Sequence, residues 1–470
     1  MKKVLLLSAN QAKIPYPVPP LGLALLHSIL KDHYEVRLLD GLDLDAPQLH
    51  SLLLEFQPDY VGLSIRNIDD MVKGEAHSFL PAVLEKFVTP VKQYQKAILI
   101  LGGSGFTIFP RELMDFFEAD YGVAGEGEES FLELLQAIDG GTDIASIDGV
   151  LQRGGRYSKR KVPVKGYSQR FRADLDLLLD YEPYRLRGAY PVQTKRGCAH
   201  RCIYCSYPVL EGRLFRVRNV HDVVDEIEQT AERIQDSSLV FEFVDSTFND
   251  PPGHAEKICT EIIRRGLSVT LRTMGMNPAN ITRELLHLML QAGFAQIDAT
   301  PDSGSPVMLR NYRKNFSYEQ LLQAAMLVRE CDMPTMWFFI FGGPGETEKT
   351  LAESFAFIDE YVSPNDMVNI TEGLRIYPQT RLVELAVREN IITADQSLLF
   401  PTFYVSADFR EDTLSERIDQ MIAVRPNCLR ITDTKPPPAL LQAALAERRE
   451  KDLKEPMFRT LLRLKGQFAA

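Results

Sequence analysis

Residues 195–208 read KRGCAHRCIYCSYP and place Cys198, Cys202 and Cys205, three of the six cysteines of this 470-residue chain, within eight positions. Cysteines this few and this clustered point to a metal site in a reducing compartment, not to disulfides. A structural zinc site wants four ligands in a closed tetrahedron. His200 or His221 would have to complete a Cys3His set here, and the usual paired spacing is absent. Three thiolates in so short a loop suit a [4Fe–4S] cluster, which leaves one iron without a protein ligand and free to chelate another molecule. A fourth cysteine would close that position. The spacing favours the cluster and leaves zinc open.

The segments around the loop place it in a fold. From residue 190 onward, apolar strands at 191–194, 239–245, 268–272, 296–300, 335–341 and 366–374 alternate with helical periodicity at 221–234, 255–265, 283–292, 318–330 and 351–361. Six strand–helix units in a row predict a barrel or partial barrel, whose chemistry lies at the carboxyl ends of the strands. The cysteine loop follows the first of them. Residues 1–145 form an earlier series, with strands at 4–7, 36–39, 60–65, 98–101 and 121–124 and helices such as 21–31 and 82–94, which predicts a doubly wound parallel sheet. Its strand ends carry PYPVPPLGL (15–23), SIRNIDD (64–70), GGSGF (102–106) and GEGEES (125–130). Glycines there let a large flat ligand approach the backbone, or make ordinary turns. The acids of GEGEES also suit a plain helix start.

Composition bounds the rest. Hydrophobic residues make up 45% and charged residues 25%, the profile of a globular protein, and no run of eighteen apolar residues predicts a membrane span. MKKVLLLSANQ imitates a signal peptide, but its apolar run is short, and it reads as a buried strand in a cytoplasmic protein. The net charge of −11 argues against a nucleic-acid partner. One basic stretch, from Arg153 to Arg172, reads as a surface hairpin of GVLQR and RYSKRKVPV turning at Gly154-Gly155, with a polyanion site as the alternative. Cys259 and Cys331 read as packing cysteines. Cys428 stays open to a substrate-side role.

The cysteine spacing, with Tyr204 just before the last cysteine, on the loop after the first strand of a strand–helix series, resembles the radical S-adenosylmethionine (SAM) enzymes. That resemblance implies a cluster on Cys198, Cys202 and Cys205 whose open iron binds SAM, and SAM contacts at several strand ends. Asp245 ends the second strand, where the family contacts the SAM amine. Arg272 ends the third. Asp302 and Ser303 end the fourth, where many relatives carry Glu-Ser. FFIFGGPGET (338–347) is similar to the family's glycine-rich strand beside the adenine, with Gly342, Gly343 and Pro344. RIYPQTRL (375–382) matches a sixth-strand motif of one branch. Duller readings stay beside these. Arg272 could pair with a neighbouring acid, and Gly342-Gly343-Pro344 could be a turn before a helix.

A doubly wound domain ahead of such a barrel resembles the subgroup whose front domain is cobalamin-binding. The cobalamin loops implied are Leu21 and Gly22; Ser64, Arg66 and Asn67; Gly102, Gly103, Ser104 and Gly105; and Gly125, Glu126 and Gly127. The chain lacks Asp-x-His-x-x-Gly, so no histidine is expected below the cobalt. Methylthiotransferases are disfavoured, since no cysteine precedes Cys198. The expected organisation is a cobalamin-binding-like domain over 1–148, a basic hairpin and linker over 149–184, a partial (β/α)6 radical SAM barrel over 185–385 and a mostly helical region over 386–470.

The resemblance implies a methyltransferase acting on an unactivated carbon through a 5′-deoxyadenosyl radical and methylcobalamin. The same domain pair also supports cyclisation, ring contraction and other rearrangements without methyl transfer. A non-enzymatic zinc-stapled cobalamin carrier or sensor is the third reading. Small-molecule, lipid and peptide substrates are all compatible, with a flavodoxin or ferredoxin as low-potential electron donor. Tyr377, Glu372 and Arg375 are candidates for lining the substrate cavity, with rim packing as the alternative.

Overall fold

The computed structural model describes residues 1–13, 16–73, 77–155, 172–185, 188–236, 238–409, 413–433, 435–451, 453 and 455–468. The second limb of the basic hairpin, 156–164, lies outside them.

The front sheet contains β1 (Lys3–Ser8), β2 (Glu35–Asp40), β3 (Tyr60–Ser64), β4 (Ile98–Gly102), β5 (Tyr121–Val123) and β6 (Val150–Gln152). Its order is β2-β1-β3-β4-β5-β6. The first five strands run parallel, and β6 returns antiparallel along β5. The first limb of the basic stretch is therefore part of this sheet's edge. Val4, Leu5, Leu6 and Leu7 are all buried, because helices cover both faces, and this is why β1 reads as a continuous apolar run and not as an alternation. The strand order reverses direction between β1 and β3, and a sheet of this kind opens its ligand crevice at that point.

The second half contains β7 (Tyr190–Val192), a short strap of β8 (Lys195–Arg196) and β9 (Arg216–Val217), then β10 (Val240–Phe243), β11 (Thr270–Met276), β12 (Phe294–Asp302), β13 (Thr335–Phe341), β14 (Met367–Glu372), the pair β15 (Leu374–Arg375) and β16 (Phe403–Tyr404), and β17 (Cys428–Arg430). The main sheet is ordered β17-β14-β13-β12-β11-β10-β7 and is parallel throughout. Its edge strands β7 and β17 do not pair with each other, so the barrel is partial. Alternation along the strands separates two environments. Leu271, Ile297, Ala299, Trp337, Phe339 and Phe341 are buried on the outer, helix-covered face. Arg272, Met274, Gln296, Asp298, Thr300, Met336, Phe338 and Ile340 alternate with them and remain partly exposed on the inner face, facing an open lumen.

Three expectations need correction. The six expected strands form, but β17, from the region expected to be mostly helical, adds a seventh. Cys428 begins it, pairs with Val368 and is fully buried, which removes the substrate-side reading. The third barrel strand runs on to Met276, so Arg272 lies nearer its start than its carboxyl end. Beyond β17 the chain forms two helices, Pro438–Glu450 and Met457–Phe468, packed on each other.

Phe243 anchors the outer face, stacking on Phe248 at 4.4 Å and on Phe294 at 5.6 Å. Phe243→Ala is expected to cost about 3–5 kcal/mol of stability, measured by denaturant unfolding.

Candidate functional site at the cysteine loop and the front-sheet edge

The cysteine loop is held at its base by one buried carboxylate. Asp245 accepts from the Thr194 amide (2.8 Å), the Thr194 hydroxyl (2.6 Å) and the Lys195 amide (3.2 Å). Asp245 thus shapes the base of the loop, at the strand end where the sequence led us to expect a SAM contact. Gly197 then turns with φ of 90°. A Cβ there would sit 2.0 Å from the Leu214 carbonyl oxygen, so only glycine fits beneath the strap. The Gly197 amide donates to Glu211 and the Cys198 amide to the Gly212 carbonyl, each at 3.0 Å. Further along, the Ile203 amide donates to the Tyr312 carbonyl (3.1 Å), and the Ile203 carbonyl accepts from the Leu382 amide (2.9 Å).

The three thiols are free of disulfides and close enough to influence one another. Burial, then the neighbouring thiols, pushes Cys205 up to about 12, and burial raises Cys198 and Cys202 as well. Such thiols ionise only beside a cationic centre, which is the chemistry of a metal-ligand set. His200 turns to Asp250 at 2.8 Å and His221 to Glu261 at 3.1 Å. Among the described residues no three His, Cys, Asp or Glu side chains converge on a single ion. A four-iron cluster spreads its thiolates over several atoms, whereas one tetrahedral ion draws them together. The donor set fits the cluster.

Other residues expected at the cofactor take varied places. Tyr204 donates its hydroxyl to Asp302, which also receives Lys314 at 2.7 Å. Ser303 is fully buried and shares a hydrogen bond of 2.9 Å with Ser354. Gly343 gives room to Tyr312, since a Cβ there would meet its ring at 2.1 Å, and the Pro344 carbonyl accepts from Asn311 (2.9 Å). Gly342 turns with φ of 90° into that loop. Arg272 points into the lumen, donates to Glu242 at 2.6 Å and stacks on Tyr16 of the front domain. The pairing with a neighbouring acid is what this structure contains.

A cavity of about 520 Å³ opens at the carboxyl edge of the front sheet. Every front-domain residue named for cobalamin lines it: Leu21, Gly22, Ser64, Arg66, Asn67 and the loops 102–105 and 125–127. The loops after β3 and β4 are knitted together. Ser104 donates to the Arg66 carbonyl (2.9 Å) and the Gly105 amide to that of Ile65 (2.9 Å), while a Cβ on Gly103 would lie 2.6 Å from the Ile65 oxygen. A Cβ on Gly22 would meet nothing within 4 Å. These walls offer backbone and open space, the surface a broad macrocycle needs. The opposite wall is Gln193, Arg196, Ser206, Tyr207, Leu210 and Glu211. Ser206 and Tyr207 directly follow Cys205, and Arg196 precedes Cys198 by two residues, so residues flanking the cysteine loop on both sides line the same cavity as the front edge.

Charges lock that arrangement. Arg196 reaches Glu128 at 2.5 Å and Glu126 at 3.5 Å, and Arg216 donates to Glu126 at 3.0 Å. Glu126 thus lines the cavity while pairing with the strap. Of the substrate-cavity candidates, Tyr377 lines the cavity. Glu372 pairs with Lys73 and Arg430, and Arg375 with buried Asp69, each at 2.9 Å. Sequence reasoning missed Arg196, Tyr207, Tyr16 and Lys314. Arg196 and Tyr207 flank the cysteines and could have been found by extending the motif. Nothing local marks Tyr16 or Lys314 as buried.

Gly197→Ala is expected to displace the strap and to lose most of the iron taken up on anaerobic reconstitution, with the far-ultraviolet circular dichroism spectrum retained.

Family models agree with this geometry: that of the Radical SAM superfamily matches residues 192–358, and that of the B12 binding domain matches residues 7–135. An uncharacterised methyltransferase of Pyrococcus horikoshii is 24% identical over 83% of this chain and 84% of its own. The tryptophan 2-C-methyltransferase of Streptomyces laurentii is 27% identical over 81% of this chain and 74% of its own. The radical SAM methyltransferase TsrM of Kitasatospora setae, solved with tryptophan and a SAM analogue, superposes with a TM-score of 0.77 at 26% identity, covering 90% of this chain and 89% of that one. TsrM has also been solved with cobalamin and a [4Fe–4S] cluster bound, at a TM-score of 0.76. With both domains present in this order and a cavity between them, the chain belongs to the radical SAM enzymes that carry a B12-binding domain.

Proposed function

We propose that the protein is a cobalamin-dependent radical SAM methyltransferase acting on an unactivated carbon of a small molecule. The observation that carries this is the shared cavity, with the residues that flank the cysteine loop on one wall and the glycine-lined front edge on the other. When bound, the cluster supplies the electron that cleaves SAM to a 5′-deoxyadenosyl radical, and cobalamin carries the methyl group.

The chain's own residues hold and orient these groups. Cys198, Cys202 and Cys205 hold the cluster. Loops 21–22, 64–67, 102–105 and 125–127 cradle the corrin through backbone. Met274, Thr300, Phe338 and Ile340 line the lumen and would offer a mainly apolar surface to the adenosyl group. Holding both cofactors against one space places the substrate carbon within reach of each, the positional contribution an enzyme makes.

The methyltransferase relatives favour methyl transfer over cyclisation or rearrangement. The engagement of His200 and His221 elsewhere counts against a zinc-stapled carrier. Among the described residues no helix is long and apolar enough to cross a membrane. A cytoplasmic setting with a flavodoxin or ferredoxin donor suits a cluster that needs a reduced environment.

Anaerobic purification with iron and cobalamin supplied is expected to yield about four iron per chain and a stoichiometric corrinoid. A Cys198→Ala/Cys202→Ala/Cys205→Ala variant is expected to lose the iron and keep the corrinoid, and SAM carrying a labelled methyl group to label the product. Stoichiometric zinc without iron would overturn the assignment. Gly22→Phe, which fills open space, is expected to lose the corrinoid while keeping the iron and an unchanged thermal unfolding midpoint.

A further inference from the structure

A buried ion pair lies beneath the cysteine loop, and the function proposed above makes no use of it. Lys314 donates to Asp302 Oδ2 at 2.7 Å and to the Thr300 carbonyl at 3.1 Å. Their side chains are 8% and 5% exposed. Asp302 is tied in turn to the loop by the hydroxyl of Tyr204, which stands between Cys202 and Cys205. Tyr312, two residues before Lys314, accepts from the Ile203 amide and meets the Tyr204 ring edge-on at 5.9 Å. The pair is thus bonded to the cysteine loop and packed against it.

Two further features set the pair apart from ordinary packing. Asp302 adopts φ of 65°, in the left-handed region that aspartate and asparagine tolerate best. Burial works against the Lys314 ammonium, and the neighbouring anionic groups, Asp302 foremost, together hold it above its usual range. Buried ion pairs contribute little net stability, which directs attention to their field.

We propose that Lys314 and Asp302 are positioning residues that set the reduction potential of the cluster held by Cys198, Cys202 and Cys205, Lys314 raising it and Asp302 opposing it. The inference rests on the cluster reading of the cysteine loop. Reduction adds one electron from a low-potential one-electron donor and makes or breaks no bond. The added negative charge is favoured by a nearby buried cation and disfavoured by a nearby anion, in a medium that screens both weakly. Charge and surroundings are among the factors that tune such clusters.

The test is a redox titration of the reconstituted full chain without SAM, using dithionite and mediator dyes, with the reduced cluster followed by electron paramagnetic resonance. Lys314→Met is expected to shift the midpoint to a more negative value. Asp302→Asn, which suits the left-handed backbone, is expected to shift it the other way. The double variant is expected to return towards the parent, and Lys314→Arg to stay close to it. Midpoints unchanged in both single variants would overturn the proposal. So would shifts in the same direction, the mark of a loosened loop admitting water. A chain with about four iron and unchanged potentials sinks this inference alone, whereas a chain that takes up no iron sinks the cluster reading with it.

Discussion

Arg196 and Arg216 stand on a four-residue strap, and both reach across to the front domain, where Glu126 and Glu128 receive them. The strap also roofs the cysteine loop, with the Gly197 turn beneath it, so one set of charges fixes the cluster loop and the front-sheet edge together. Arg375 with Asp69, Lys73 with Glu372, and Tyr16 with Glu242 add further ties between the halves. Breaking one partner of such a buried pair costs about 3–5 kcal/mol, because the other charge is left without compensation. An enzyme whose two cofactors must face each other has reason to keep its domains from rocking apart.

Within the barrel, the same economy appears in the residues that shape the loop. Asp245 accepts three hydrogen bonds from Thr194 and Lys195, and Gly343 exists in the space that Tyr312 needs. These residues match a family pattern, and their nearest task in this fold is to hold the cysteine loop and the glycine loop in place. A motif position can be functional without its side chain touching the cofactor.

Much of this was legible along the chain. Strands buried on both faces announce themselves as apolar runs, and helices with one covered face as a 3.6-residue period, so the two alternating series appear without coordinates. Arg272 shows where that reading stops. Strand ends depend on neighbouring strands, and β11 extends to Met276 because β12 continues beside it. Cys428 is similar: RPNCLR is too short to read as a strand, and pairing with β14 makes it one.

By itself the sequence determined the local chemistry. Three thiols in eight residues with no fourth, and glycines in three of the four loops at one sheet edge, are consequences of spacing, and spacing is written in the chain. Tertiary structure decided which partners each charge would find. Glu126, Arg375 and Asp302 read as polar residues near strand ends, and Lys314 as one between two helices. Only folding, by bringing segments as far apart as Asp69 and Arg375 into a region of low dielectric, commits each to its partners, since a buried charge cannot stay unpaired.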